Sequence, residues 1–324
     1  MPLSIRLQQT GGPEAMHLEE VAIGDPAPGE ARVRHEAVGL NYIDVYHRTG
    51  LYPLPLPCGL GIEGAGVVEA IGEGVTAVAP GDRVAYAGGP VGAYCQVRCL
   101  PADRLLKLPD SIDCPTGAAM MLQGLTSAYL LRRTYRVRAG DAVLIHAAAG
   151  GVGLIACQWA KALGAIVIGT VSSAAKAAMA EAHGCAHTID YTREDVAQRV
   201  RAITGGEGVA VVYDGVGKDT FMGSLDSLRV RGMMVSFGNA SGPIAPFDPL
   251  LLTQKGSLFI TRPTVAHYTA KREELVDLGQ ELFAVVASGQ VKIEIHQTYA
   301  LADVATAHRD LEARRTTGST ILLP

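Results

Sequence analysis

The 324-residue chain contains no Cys-x-x-Cys pair, no large excess of charge of either sign, no repeat and no low-complexity tract. Its six cysteines (58, 95, 99, 114, 157 and 185) are too scattered for a disulfide framework, so reduced thiols in the cytoplasm are expected. The opening MPLSIRLQQTGGPEAMHLEE lacks the basic cap and apolar run of a signal peptide. A formal net charge of -4 argues against nucleic acid as a partner, and the basic run LRRTYRVRAGD reads as a solvated edge. Residues 142–171 are apolar enough to suggest a membrane span. His146, Lys161 and the glycines at 150, 151, 153 and 164 interrupt them, which fits strand, turn, helix and strand better, and no membrane is expected. No Ser-His-Asp or Cys-His arrangement stands out, and the histidines read as scattered rather than paired for a metal.

What is present is apolar residues, 48% of the chain, enough for two cores at this length. Up to about residue 120 short strands alternate with turns, as in ARVRHEAVGL, GAGVVEAIG, PGDRVAY, AYCQVRCL and PADRLLKLP. From residue 141 the pattern changes to strand and helix in turn: AVLIHA, GVGLIACQWAKALG, AIVIGTV, SSAAKAAMAEAHG, HTIDY, TREDVAQRVRAITGG, VAVVYDGVG, a helical DTFMGSLDSLRVRG, then MMVSFG. Such alternation predicts an α/β chain with a doubly wound parallel sheet. Val152, Ile155, Ala156, Trp159, Ala160 and Leu163 share one helical face, with Gly164 as the stop. Thr192 and Asp195 resemble a capping box for the helix ending at Gly205. KREELVDLGQELFAVVASG is a further helix, and the last sixty or so residues are expected to rejoin the first domain, leaving a cleft between two lobes. The expected bounds are 1–124 with 265–324, and 125–264.

In HAAAGGVGLIACQWAK, residues 146–161, a strand meets a helix through small residues. Such a turn gathers backbone N–H groups and the positive end of a helix dipole, which suits a pyrophosphate. The GxGxxG pattern is imperfect, since Ala148 stands at its first glycine, but Gly150 and Gly153 are in register. Ala149, Gly150, Gly151 and Val152 are therefore cofactor-binding candidates. At the end of the next strand, GTVSSAAKA offers Ser172, Ser173 and Lys176 and no acid. Hydroxyls and a cation suit a 2'-phosphate, hence NADPH; the plainer alternative is that the serines cap a helix and Lys176 is solvated.

GDAVLIHAAAGGVGLIACQWAK resembles the quinone oxidoreductase and zeta-crystallin signature of the medium-chain dehydrogenase/reductase superfamily. The resemblance continues through GLNYIDVYHRTGLYP, GLGIEGAGVV, LQGLTSAYLL, VVYDGVG, MVSFGNASG, KGSLFITRP and GSTILLP. It implies a GroES-like, mostly-β catalytic domain, a Rossmann NADPH-binding domain and a homodimer. It also implies that Lys176 and Tyr191, with a hydroxyl near Ser173, surround the 2'-phosphate. The superfamily's alcohol dehydrogenases hold a catalytic zinc through a cysteine and a histidine where this chain has Asn41 and Ile62, so no metal is expected and Glu63 is read as a structural hydrogen-bonding residue.

Asn41, Tyr46 and Tyr52 are the catalytic candidates, supplying hydrogen bonds and a flat aromatic wall in a segment that the resemblance puts beside the nicotinamide. Asn41 counts among the cofactor contacts as well. The alternatives are that Asn41 braces a turn and that the tyrosines lie in a loop against prolines. Thr126, Phe237, Gly238, Asn239 and Arg262 are further cofactor-side candidates, with an ion pair as the alternative for Arg262. His146 fits packing or a local hydrogen bond better than acid-base work. The expectation is a soluble, metal-free NADPH:quinone oxidoreductase acting on small quinones. The alternatives are an NADPH-dependent enone or enal reductase, and a zeta-crystallin-like RNA-binding or structural protein.

Overall fold

The computed structural model describes all of Met1–Pro324. The chain divides into two compact units: Met1–Leu125 with Tyr268–Ala287 and Ile293–Pro324, and Thr126–His267 with Ser288–Lys292.

The first unit opens with β1 (Leu3–Leu7), β2 (Met16–Glu20) and β3 (Glu30–Leu40), followed by helix α1 (Tyr42–Thr49). Then come β4 (Cys58–Gly59), β5 (Glu63–Ile71), β6 (Arg83–Ala87), β7 (Val97–Pro101) and β8 (Leu106–Lys107). Helix α2 (Cys114–Tyr129) leads onward into the second unit. Alternation explains β3: Ala31, Val33, His35 and Ala37 are buried while Arg34 and Glu36 face outward.

The second unit consists of β9 (Ala142–Ile145), α3 (Gly151–Ala162), β10 (Ile166–Val171), α4 (Ala174–Ala182), β11 (His187–Asp190) and α5 (Val196–Ile203). It continues with β12 (Val209–Asp214), α6 (Phe221–Ser227), β13 (Leu228–Ser236), α7 (Leu250–Gln254), β14 (Phe259–Thr261) and α8 (Val265–Tyr268). The six strands are all parallel, in the order β11-β10-β9-β12-β13-β14. Every residue of the central β12 is buried, as expected where helices cover both faces. Leu144, Ile168, Val212 and Met234 come together in the core.

The chain then returns to the first unit with α9 (Arg272–Ala287), β15 (Ile295–Ala300), α10 (Val304–Glu312) and β16 (Ser319–Leu323). There β16 pairs antiparallel with β3, extending a sheet ordered β15-β16-β3-β5-β6-β8, with β7 also on β3.

Three local expectations differ from the structure. The stretch read as one helix over DTFMGSLDSLRVRG is helical only to Ser227; Leu228 onward is strand, because pairing with β12 outweighs local propensity. Helix α5 is capped by Asp195, whose Oδ1 accepts the N–H of Gln198 at 2.8 Å, while the Thr192 hydroxyl turns back to Asp190. Tyr46 lies on a helix, not in a proline-rich loop, since Asn41 caps α1 and Gly50 ends it at a φ of 82°.

Candidate functional site

In the second unit, the turn from β9 to α3 is held by the N–H of Ala148 on the Thr170 carbonyl at 3.0 Å and that of Gly150 on the Ala147 carbonyl at 2.9 Å. Gly150 occupies the cap position, and no side chain caps the helix. The first-turn N–H groups of Gly151, Val152 and Gly153 have no carbonyl one turn back, so this helix end offers donors and a positive dipole to an anion. A Cβ on Gly153 would run into the Ala147 carbonyl oxygen. The two glycines thus differ in role: Gly153 lets the helix lie against the turn, and Gly150 keeps the helix mouth free of a side chain.

Because the strands are parallel, their C-terminal ends share one edge of the sheet. Ser172 and Ser173 follow β10, Tyr191 follows β11, and the Tyr191 N–H donates to the Val171 carbonyl at 3.1 Å, bringing these two strand ends together. The Ser173 Oγ accepts the N–H of Lys176 at 3.3 Å and so caps α4, as in the plainer reading; a hydroxyl that accepts in this way keeps its own hydrogen to donate. Phe237, Gly238 and Asn239 follow β13, with the Phe237 N–H on the Asp214 carbonyl at 2.8 Å. Arg262 follows β14, whose Thr261 is level with Val235. Thr126 lies buried within α2. His146 is held locally, with Nδ1 3.0 Å from the Thr170 hydroxyl and Nε2 3.0 Å from that of Ser224; burial lowers its pKa.

In the first unit, Asn41 is buried at the start of α1. Its Nδ2 donates to Glu63 Oε2 at 2.5 Å, and its Oδ1 accepts from Gln123 Nε2 at 3.3 Å. Glu63 Oε1 accepts the N–H of Leu122 at 2.7 Å, and Gln123 Oε1 accepts the Ser319 hydroxyl at 2.8 Å. Burial pushes the Glu63 carboxyl up to about 8 against the hydrogen bonds from Asn41 and Leu122. Tyr46 and Tyr52 meet with ring centroids 5.1 Å apart at 60°, an edge-to-face corner rather than the flat wall expected. Beneath them, Asp44 Oδ2 accepts from the Asn41 N–H at 2.9 Å and the Tyr94 hydroxyl at 2.7 Å.

Asp44, Tyr94, Gln123 and Ser319 did not emerge from sequence reasoning. The Asn-x-x-Asp spacing at 41 and 44 is the one local signal that could have found a member of this set.

A tetrahedral zinc does not fit these donors. Asn41 is a carboxamide already engaged on both its atoms, Ile62 has no donor, and no three His, Cys, Asp or Glu side chains converge anywhere in the chain. His183 and His187, four apart in sequence, are divided between the end of α4 and the start of β11.

Comparison with known proteins agrees with this architecture. Residues 27–110 match the family model "Alcohol dehydrogenase GroES-like domain", and residues 151–279 match "Zinc-binding dehydrogenase". A quinone oxidoreductase of Pseudomonas aeruginosa is 54% identical over 325 residues, covering 100% of both chains. The chain belongs to the quinone oxidoreductase family of medium-chain dehydrogenases/reductases. Within that family, the structure of the Escherichia coli enzyme complexed with NADPH superposes with a TM-score of 0.98 at 49% identity, covering 99% of this chain and 100% of that one. A 2-haloacrylate reductase of a Burkholderia species is 46% identical, covering 100% of this chain and 99% of its own. The GroES-like and Rossmann-type folds expected from the sequence are both present. No helix is long and apolar enough to cross a membrane.

Proposed function

We propose that this chain is an NADPH-dependent quinone oxidoreductase that works without a metal ion. The observation that carries the reading is full-length similarity to quinone oxidoreductases, 54% identical in one case. The uncapped mouth of α3 and the Ser173, Lys176 and Tyr191 corner support NADPH as its cofactor.

When bound, the dihydronicotinamide supplies the hydride. The chain's part is binding and electrostatics. The N–H groups of Gly151 and Val152 hold the diphosphate, with Ala149 and Gly150 leaving room for it. Lys176, Ser173 and Tyr191 hold the 2'-phosphate through charge-assisted hydrogen bonds. Thr126, Phe237, Gly238, Asn239 and Arg262 line the cofactor. The second Nδ2 hydrogen of Asn41 serves a quinone oxygen as negative charge develops there, and Tyr46 and Tyr52 bound the acceptor's ring.

The similarity to a 2-haloacrylate reductase favours a second reading, in which the acceptor is an activated alkene such as an enone or enal. Initial rates of NADPH and NADH oxidation with 1,4-benzoquinone, 1,2-naphthoquinone and an enone, after chelator treatment, test both readings. Quinone turnover with NADPH that survives chelation supports the first. Turnover of the enone alone moves the chain to the second, and preference for NADH overturns the cofactor assignment.

The enzyme works in the cytoplasm as a homodimer. Support for two copies comes from β14, the last strand of its sheet, where Phe259 is 57% and the neighbouring Val230 69% exposed. Light scattering should give twice the chain mass for the wild type and a monomer for Phe259→Asp; a monomeric wild type removes this part of the proposal.

A further inference from the structure

We infer that Glu63 is a positioning residue that fixes which way round the Asn41 carboxamide faces, so that Asn41 meets a substrate oxygen with an N–H and not with its carbonyl. This rests on the proposed role of Asn41. It assigns to Glu63 more than the structural hydrogen bonding expected from the sequence.

The argument is one of donors and acceptors. The Glu63 carboxyl is fully buried and accepts Leu122 N on Oε1 at 2.7 Å and Asn41 Nδ2 on Oε2 at 2.5 Å, with the backbone of Met121 adding a further hydrogen bond. The first donor is backbone and cannot turn round. The second belongs to a carboxamide, which can. In its ionised form the carboxyl only accepts, and on both oxygens, whereas a carboxamide has one accepting oxygen and one donating nitrogen. Glu63 therefore holds the Asn41 Nδ2 toward itself and leaves Oδ1 for Gln123 Nε2 at 3.3 Å; the polarity continues to the Ser319 hydroxyl, which donates to Gln123 Oε1 at 2.8 Å. Held this way, Asn41 has one Nδ2 hydrogen to spare and points no lone pair at a negatively charged oxygen. Gly39 makes room for the carboxyl, since a Cβ there would strike Glu63 Oε2 and the Ala118 carbonyl oxygen.

Glu63→Gln removes one acceptor at almost constant shape. Its Oε1 must serve Leu122, so its Nε2 faces Asn41, which turns to present Oδ1. The variant should lose at least tenfold in kcat for 1,2-naphthoquinone, with the KM for NADPH changed less than threefold. The double variant Glu63→Gln/Gln123→Glu moves the carboxyl to the other side of Asn41 and locks the reversed orientation, so it should remain as slow as the single variant. Wild-type kcat in the double variant would mean that Glu63 supplies only a buried acid and would overturn the inference.

Asn41→Ala separates the two layers of the argument. If it turns over like the wild type, Asn41 has no part in catalysis and both readings fall. If it is slow while Glu63→Gln is unaffected, the role of Asn41 stands and that of Glu63 falls. Should Glu63→Gln not fold, neutron diffraction of the deuterated wild type reads the orientation directly: two deuterons on the Asn41 atom facing Glu63 agree with the inference, and deuterons on the atom facing Gln123 overturn it.

Discussion

Arg48 and Glu312 stand 264 positions apart and face each other through two N–H···O bonds of 3.0 and 2.8 Å. Arg48 is 1% exposed and also donates to the Gly11 carbonyl at 3.1 Å. This clamp ties α1, the helix that begins at Asn41, to α10. Breaking it should destabilise the first unit by about 1 to 3 kcal/mol, more for Glu312→Ala, which leaves the buried guanidinium without its carboxylate, than for Arg48→Ala, which leaves a carboxylate that is 32% exposed. Denaturant titration checks this; a loss below about 0.5 kcal/mol for both would mean that the pair behaves like a surface ion pair.

Asp44, like Glu63, is a pH-sensitive member of the same region. Burial pushes its carboxyl up to about 7 from an ordinary value of 3.8, and its Oδ1 has no partner. The folded chain therefore keeps a proton that the unfolded chain releases, and stability present below the unfolded value is lost as pH rises through the folded one. His35 and His308 act with the opposite sign. Burial lowers them to about 4 and about 3 from 6.5, so their contribution is present above the unfolded value and lost as pH falls through the folded ones. Asp44→Asn removes only the first effect. From about pH 4.5 to about pH 7.5 the stability difference should move in the variant's favour by about 1 to 3 kcal/mol. A difference that stays constant across that range would show that Asp44 does not take up a proton on folding.

Two glycines should respond in opposite ways to the same substitution. At Gly153 an added methyl meets the backbone of Ala147 and Ala148, which cannot give way as a side chain can. Gly153→Ala should cost about 1 to 3 kcal/mol in stability and weaken NADPH binding. At Gly223 in α6 an added methyl meets nothing within 4 Å, and Gly223→Ala should stabilise by up to about 1 kcal/mol. Thermal melts of the two variants decide it, and equal effects would contradict the contrast in space.

Lys176→Ala tests the 2'-phosphate assignment. Loss of one charge-assisted hydrogen bond, about 1.5 to 3 kcal/mol, corresponds to a rise of roughly ten- to hundredfold in the KM for NADPH. The kcat with NADPH and the KM for NADH should change little. An equal rise for both cofactors would remove Lys176 from the 2'-phosphate.

The parts of the site that were legible in the sequence are those made by neighbours in the chain. The strand–glycine–helix turn at 146–153, the stop at Gly164 and the alternation after residue 141 reflect backbone conformation and short-range periodicity, which a sequence carries openly. The missing carboxylate after β10 belongs to the same class. By itself, then, the sequence determined the class of fold, the strand–glycine–helix turn proposed for the diphosphate and the character of the residues that follow β10.

Other features were decided by burial and long-range pairing. LRVRGMMVS became strand because β12 offered it a partner. Asn41 is hydrogen-bonded to Glu63 and Gln123, and Gln123 to Ser319, residues drawn from three other parts of the chain. A buried polar group must find a partner wherever the fold supplies one, and only tertiary structure determines which groups are buried together. The tertiary structure thus decided which atoms of Asn41 are engaged, and it turned Asp44, Arg48 and Glu63 from ordinary charged residues into the support of a candidate catalytic amide.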